Sequence, residues 1–300
     1  MRASRLWKYL LIVVPWLAIA VHAETINWYC TSNKVNQTSA GLNMGATFDF
    51  QLGVFSGGFI PTTGNMNLWT TYWVSAQSGS YNPGSKSFSS TFTLAGNTTP
   101  FTIGAKAYVW GRSTASTSDE WILFRKSDWT WPNASSDPAN FYLWNAASAD
   151  QVILGTINST GTPFLMKSEA VSSYAQWRDS QLAGEMLIAP NDDPDHDGSP
   201  NLLEFIFGTS PTQSGAPTLT PTSFVDVSGQ IYLQISIPRL RNRLATVSVE
   251  VSSNLVNWNS GNSYTVELSN TPEVIVVRDL VPSGPGLPKR FMRARAVLSP

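Results

Sequence analysis

Charge is scarce in this 300-residue sequence: only 13% of residues are Asp, Glu, Lys or Arg, against roughly 25% in an average soluble domain. With 42% hydrophobic and 12% aromatic residues, the balance is the reverse of a disordered chain's, so the sequence must fold around buried cores. The length suits about two domains of ~150 residues. A formal net charge of −1 supplies no overall field to attract nucleic acid, and none is expected as a partner. Histidine and cysteine are rarer still. His22 belongs to the N-terminal apolar segment, which leaves His196 and the single cysteine, Cys30. One cysteine forbids an intrachain disulfide. A zinc site usually needs several His or Cys ligands, and a nucleophilic triad would need its own His, so both chemistries are set aside. No Gly-rich phosphate loop is present.

The longest apolar run lies at the start. Arg2, Arg5 and Lys8 precede Leu10 to Val21, and Val21-His22-Ala23 closes the segment before Glu24. That order of charge, apolar run and small-residue exit marks residues 1–23 as a secretory signal peptide. A membrane anchor is the competing reading, but the run is shorter than the ~20 residues a span requires and Pro15 interrupts it. The expected location is secreted or cell-surface, extracellular or periplasmic, with no membrane span. Cys30 follows bulky Asn27-Trp28-Tyr29, unlike a lipidation site, and is expected to be a buried or idle thiol. Asn36, Asn97, Asn133 and Asn158 begin N-glycosylation acceptor triplets, a pattern common by chance in a Ser/Thr-rich chain.

Charge divides the rest into three. Residues 24–170 hold seven basic and eight acidic side chains, 171–216 one and seven, and 217–300 eight and five. The first part reads as short strands (46–54, 68–75, 87–94, 101–111, 120–125, 141–143, 152–157) broken by Ser, Gly, Asn and Pro, the pattern of a jelly-roll-like β-sandwich. The third alternates Ile231, Leu233, Ile235 and Ile237, then Val247, Val249 and Val251, with polar residues; an immunoglobulin- or fibronectin-like β module is expected. Between them, Tyr174, Trp177, Gln181 and Leu182 predict a helix over 172–183, a second helix spans 201–207 before Gly208, and Pro211 to Pro221 forms a linker. The expected fold is therefore mainly β: two sandwich modules joined by a short helical linker.

That linker carries the strongest chemical signal. Counting from Asp193, carboxylates occupy positions 1, 3 and 5 (Asp193, Asp195, Asp197), Gly198 position 6, Ser199 position 7, Asn201 position 9 and Glu204 position 12. This is the ligand spacing of a twelve-residue calcium loop, with the Ser199 carbonyl and a two-oxygen Glu204 closing the cage. A solvated acidic linker is the plainer alternative, yet acids this close repel each other unless a cation relieves them. Calcium is preferred to magnesium, which demands near-octahedral geometry and keeps its waters.

Around these acids the sequence resembles the calcium-loop segment of thrombospondin type 3-like repeats in secreted bacterial multidomain proteins. The likeness runs through Asp193 to Pro211, with Asn201-Leu202-Leu203-Glu204-Phe205 and Gly208-Thr209-Ser210-Pro211, and extends to Trp177, to Ser253-Asn254-Leu255 with Trp258, and to Arg290-Phe291-Met292-Arg293. In the first part it is carried by Phe50 to Phe55, Gly58 to Thr62, Ala107 to Gly111 and Glu120 to Leu123. It implies calcium bound between β modules. Pro200 stands at position 8, where paired sensor loops have an apolar residue, and no second loop exists, so a structural rather than a switching ion is expected.

The leading functional expectation is a non-catalytic surface or matrix protein with an extracellular ligand, polysaccharide being the candidate class. The rival is a carbohydrate-binding or carbohydrate-active protein. Trp69, Trp73, Trp110, Trp121, Trp129, Trp131 and Trp144 crowd the first part. Buried core is the commoner fate of such rings; Trp129-Thr130-Trp131-Pro132, flanked by turns, is the best candidate for an exposed sugar platform. A glycosidase needs two facing carboxylates, but no pair stands out among Asp49, Asp119, Glu120, Asp128, Asp137, Asp150 and Glu169. Arg239, Arg241 and Arg243, with Lys289 and Arg290, could make a basic patch on one strand face.

Overall fold

In a computed structural model, residues 24–30, 35–114, 118–134, 141–158, 163–215, 223–240, 242–271 and 273–298 are described. The expected signal peptide, Asp137 and Arg241 lie outside them. The chain is mainly β, 45% strand and 11% helical, as the alternating patterns predict. Its first strands are β1 (Glu24–Tyr29), β2 (Val35–Gln37), β3 (Asp49–Phe55), β4 (Trp73–Ser80), β5 (Ser89–Leu94) and β6 (Tyr108–Ser113). There follow β7 (Asp119–Arg125), β8 (Phe141–Asn145), β9 (Gln151–Leu154), β10 (Thr156–Asn158), β11 (Leu165–Lys167) and β12 (Glu169–Val171).

A six-stranded sheet, β12-β7-β6-β3-β4 with β9 also on β7, is the centre of this part. Neighbouring side chains on a strand point to opposite faces, and here both faces are covered. Val109, Ile122 and Phe124 join Phe50 and Trp28 in one core, beneath the sheet β5-β1-β8. Tyr108, Trp110, Trp121 and Leu123 join Phe55, Met66 and Trp69 in a second core on the other face. Each such buried ring contributes on the order of 2–3 kcal/mol. Pairing is antiparallel except for β1 with β8 and β11 with β2.

Three expected strands are corrected, of which 152–157 divides at Gly155 into β9 and β10 in different sheets. Residues 68–75 do not form a single strand: a 3-10 turn, Thr63–Leu68, runs into α1 (Trp69–Tyr72), and the strand begins at Trp73. Asn65 Oδ1 accepts from Thr62 N at 2.8 Å and from Trp69 Nε1 at 2.9 Å, which ties the turn and seats Met66 and Trp69 in the second core. The segment 101–107 is also not strand, because its backbone turns back on Trp131, with Gly104 N donating to Trp131 O at 2.8 Å.

The remaining strands are β13 (Ser223–Val227), β14 (Gln230–Pro238), β15 (Ala245–Ser252), β16 (Asn259–Ser260), β17 (Thr265–Asn270), β18 (Val274–Asp279) and β19 (Phe291–Leu298). They form two sheets, β13-β14-β18-β17 and β16-β15-β19. The alternation read from the sequence holds for Leu233, Ile235 and Ile237, and Ile235 and Ile237 pack with Ile275 and Val277 against Val249, Met292 and Ala294; Ile231, at the strand's start, is instead exposed. Trp258 and Arg293, from two of the quoted runs, meet with the guanidinium 4.0 Å from the ring centre.

Helices α2 (Tyr174–Gln181) and α3 (Asn201–Phe207) fall where the sequence predicts them. They are not a free tether. Tyr174, Trp177 and Phe205 pack ring on ring at 5.5–5.7 Å, and the same cluster takes in Ala245, Val247, Ala296 and Leu298 of β15 and β19. The first and last parts also touch directly. Asn67 donates to Thr246 and Leu244 packs on the second core, while Ser172, at the start of the middle part, donates its N to Asn242 O at 2.8 Å and accepts from Leu244 N at 2.9 Å.

Candidate metal centre

The loop between α2 and α3 folds on its own acids. Asp197 N donates to Asp195 Oδ1 at 3.2 Å, Gly198 N to Asp193 Oδ2 at 2.9 Å, and Ser199 N to Asp197 Oδ1 at 2.8 Å. Each bond bends the chain around a carboxylate, and Gly198 at φ 92° supplies the left-handed turn that a side chain would strain. As a result Asp193, Asp195 and Asp197 bring carboxylate oxygens within 4.8 Å of one another.

Glu204 lies outside that 4.8 Å group but faces it from the first turn of α3. It is 0% exposed, and neither carboxylate oxygen meets a partner in good hydrogen-bond geometry; the Thr209 side chain is the one polar neighbour that favours its charged form, and the weakest influence on it. Asp193 Oδ1, Asp195 Oδ2 and Asn201 Oδ1 are likewise buried without partners. Burial, followed by the negative charges of Asp195, Asp197 and Asp193, pushes the Glu204 carboxyl up to about 7. Burial, with Asp197 and Asp193 alongside, also raises Asp195, while the amide of Ser199 lowers Asp197. An orphaned buried carboxylate is among the most costly arrangements in a protein.

The other predicted residues have mixed positions. Ser199 is buried, with its amide committed to Asp197. Asn201 donates its Nδ2 to Leu187 O at 3.1 Å and Ala189 O at 3.0 Å, leaving Oδ1 as its available ligand atom. Asp192 takes no place in the cage; it caps the preceding turn by accepting from Ala189 N. The donor set around the loop is therefore all oxygen, the chemistry of a hard cation.

Two alternatives that the sequence left open do not assemble among the described residues. Trp129 and Trp131 are 2% and 0% exposed; Trp129 stacks on Trp144 at 5.6 Å and Trp131 packs on Phe101 at 4.8 Å. They fill the first core and offer no platform, and Trp69, Trp110, Trp121 and Trp144 are buried with them. The basic patch does not assemble either. Arg239 follows the end of β14 and is bound to Thr271 O, Arg243 lies over the Phe205 ring, and Arg290 is paired with Asp279.

Several front acids have structural partners. Glu120 accepts from Ser39 and Ser168, Asp119 from Gln176, and Asp150 from Ser127. Asn36 is buried and Asn97 is committed to Phe101 O and Pro132 O, so neither presents a free amide for a glycan. Cys30 is buried. No protein-family model, curated protein or solved structure matches the chain.

Proposed function

We propose that this is a secreted, non-catalytic surface or matrix protein in which calcium, held by Asp193, Asp195, Asp197, Glu204, the Ser199 carbonyl and Asn201 Oδ1, fixes the junction between its β-rich parts. The observation that carries the reading is Glu204, buried with both oxygens unpartnered behind three gathered aspartates. A divalent cation supplies the missing partner. The likeness of the surrounding residues to thrombospondin type 3-like loops supports calcium in particular, as does the flexible oxygen cage.

Junction stiffening follows from what the loop touches. Helix α3 carries Glu204, then gives Ile206 O to Leu240 N at 2.9 Å and ends at Gly208 against Leu240. Asp197 Oδ2 accepts from Gly215 N at 3.2 Å, holding the start of the linker. From the other side, Gln176 on α2 donates to Asp119 of β7 at 3.1 Å. An ion that orders the loop thus orders contacts to both parts.

A single loop of this kind is expected to bind calcium at ~0.1–1 mM, the range of extracellular modules. Isothermal titration with CaCl2 tests it: the natural chain should release or absorb heat with a saturating profile, and the Asp195→Ala/Asp197→Ala variant should not. Equal heats from both reject the site.

A further inference from the structure

A half-open groove of about 390 Å³ lies between the turn after β3 and the segment before β6, within the ~300–1,000 Å³ of small-ligand sites. One wall is Ser56, Gly57, Gly58, Phe59 and Ile60; the other is Thr99, Pro100, Thr102, Ala105 and Lys106; Phe55 and Tyr108 form the floor. The walls are pinned from behind. Ser56 N donates to Tyr72 O at 2.8 Å and Phe59 N to Ser56 O at 3.1 Å, while the opposite segment is held by Gly104 N and Trp131 N bonds to Trp131 O and Ala105 O, both 2.8 Å. The groove is therefore preformed.

Its chemistry combines ring surface with positive charge. Tyr72 stacks on Phe59 at 4.4 Å and 10° without lining the groove, and Phe55 packs against it at 5.5 Å and 34°, so the groove is lined by what these two rings leave uncovered of the half-buried Phe59. Phe55 and Tyr108 meet edge to face at 5.4 Å. Lys106 stands at the rim and has no ion-pair partner among the described residues. Beneath the floor, the Arg125 guanidinium sits 5.3 Å from the Tyr108 ring centre. It is buried and held by Gln151, Ser127 O and Trp129 O, with no carboxylate on it. No acid among the described residues lines the groove, while Ser56, Thr99 and Thr102 add hydroxyls around it.

We propose that this groove binds acidic saccharides of the uronate type, the sugar ring lying on Phe59 and its carboxylate paired with Lys106. The aromatic lining, rim hydroxyls and the single cation at the rim, Lys106, match a ring compound bearing hydroxyls and one negative charge better than a neutral sugar or an acyl chain. The site stands apart from the calcium loop and does not rest on it.

Titrations of the full chain with digalacturonate, neutral galactobiose and decanoate test the assignment. They are run in calcium and in chelator, and repeated on Asp195→Ala/Asp197→Ala, so that loss of the metal site and loss of the groove are told apart. Digalacturonate should bind in both media and to that variant, and more tightly than the other two probes. Lys106→Gln, at a rim position, should weaken digalacturonate roughly three- to tenfold, the span of a rim charge-assisted hydrogen bond, and leave galactobiose unchanged. Phe59→Ala should weaken both sugars; if it unfolds the chain, Lys106→Gln carries the test alone. No digalacturonate binding, equal or tighter binding of galactobiose or decanoate, or indifference to Lys106→Gln would overturn it.

Discussion

Two buried acids of this molecule have the same exposure and opposite circumstances. Asp279, in the last β part, is 0% exposed. Its oxygens accept from Arg290 Nε at 2.7 Å, Arg290 Nη2 at 2.8 Å and Val281 N at 2.9 Å. Glu204, at the junction, is also 0% exposed, with no cation on it and neither oxygen in a well-formed hydrogen bond, Thr209 being its one weak polar neighbour. Glu250, also buried, follows Asp279 in meeting cations, Arg293 and Arg295. Glu24, also buried, leaves one oxygen, Oε2, without a partner; among the described residues Glu204 is the carboxylate bare at both oxygens, and it stands beside three more acids. The contrast is the reason to read the junction as a cation site rather than as an acidic linker.

The comparison can be broken first at its paired member. Replacing the guanidinium, Arg290→Met, leaves Asp279 buried alone and is expected to cost about 3–5 kcal/mol, measured by urea unfolding. A smaller cost would mean that this fold tolerates bare buried acids and would remove the force of Glu204.

The next test is pH. The folded, ion-free chain holds a proton on Glu204 up to about 7, whereas the unfolded carboxyl releases it near its ordinary ~4.3. The folded state therefore binds more protons in that window, and this contribution to stability is present below it and lost as pH rises through about 7. In chelator, the natural chain should lose on the order of 3 kcal/mol relative to Glu204→Gln between about pH 4 and 8. Parallel stability curves for the two would show that Glu204 is not held as described.

The smallest effect is the sign of one substitution at fixed pH. With chelator at about pH 8, Glu204→Gln should stabilise by about 1–3 kcal/mol, since it removes an unpaired buried charge. Asp279→Asn should destabilise, since it removes a paired one. Thermal unfolding of both variants reads the two signs side by side.

The acid loop was legible because its acids are neighbours in sequence, and their spacing is visible without any long-range contact. Strand β14 was legible because its alternation is local too: Leu233, Ile235 and Ile237 turn inward as their period requires. Strand β1 was not, since Glu24 occupies an inward position beside Ile26 and Trp28, and a charge there hides the apolar period. Trp129 and Trp131 left a sugar platform open for a different reason. Turn residues flank them, but the turn folds back so that both rings enter the core, a long-range outcome that no local pattern carries. The groove at Phe59 was equally invisible, because it exists only once β3 pairs with β6 and brings distant segments face to face.

The most direct measurement is melting of the natural chain and Glu204→Gln with and without saturating calcium. The account predicts that calcium stabilises the natural chain, by about 2.7 kcal/mol at a hundredfold excess over Kd, and leaves Glu204→Gln nearly unmoved. Identical calcium shifts in the two proteins, or none in either, would contradict it.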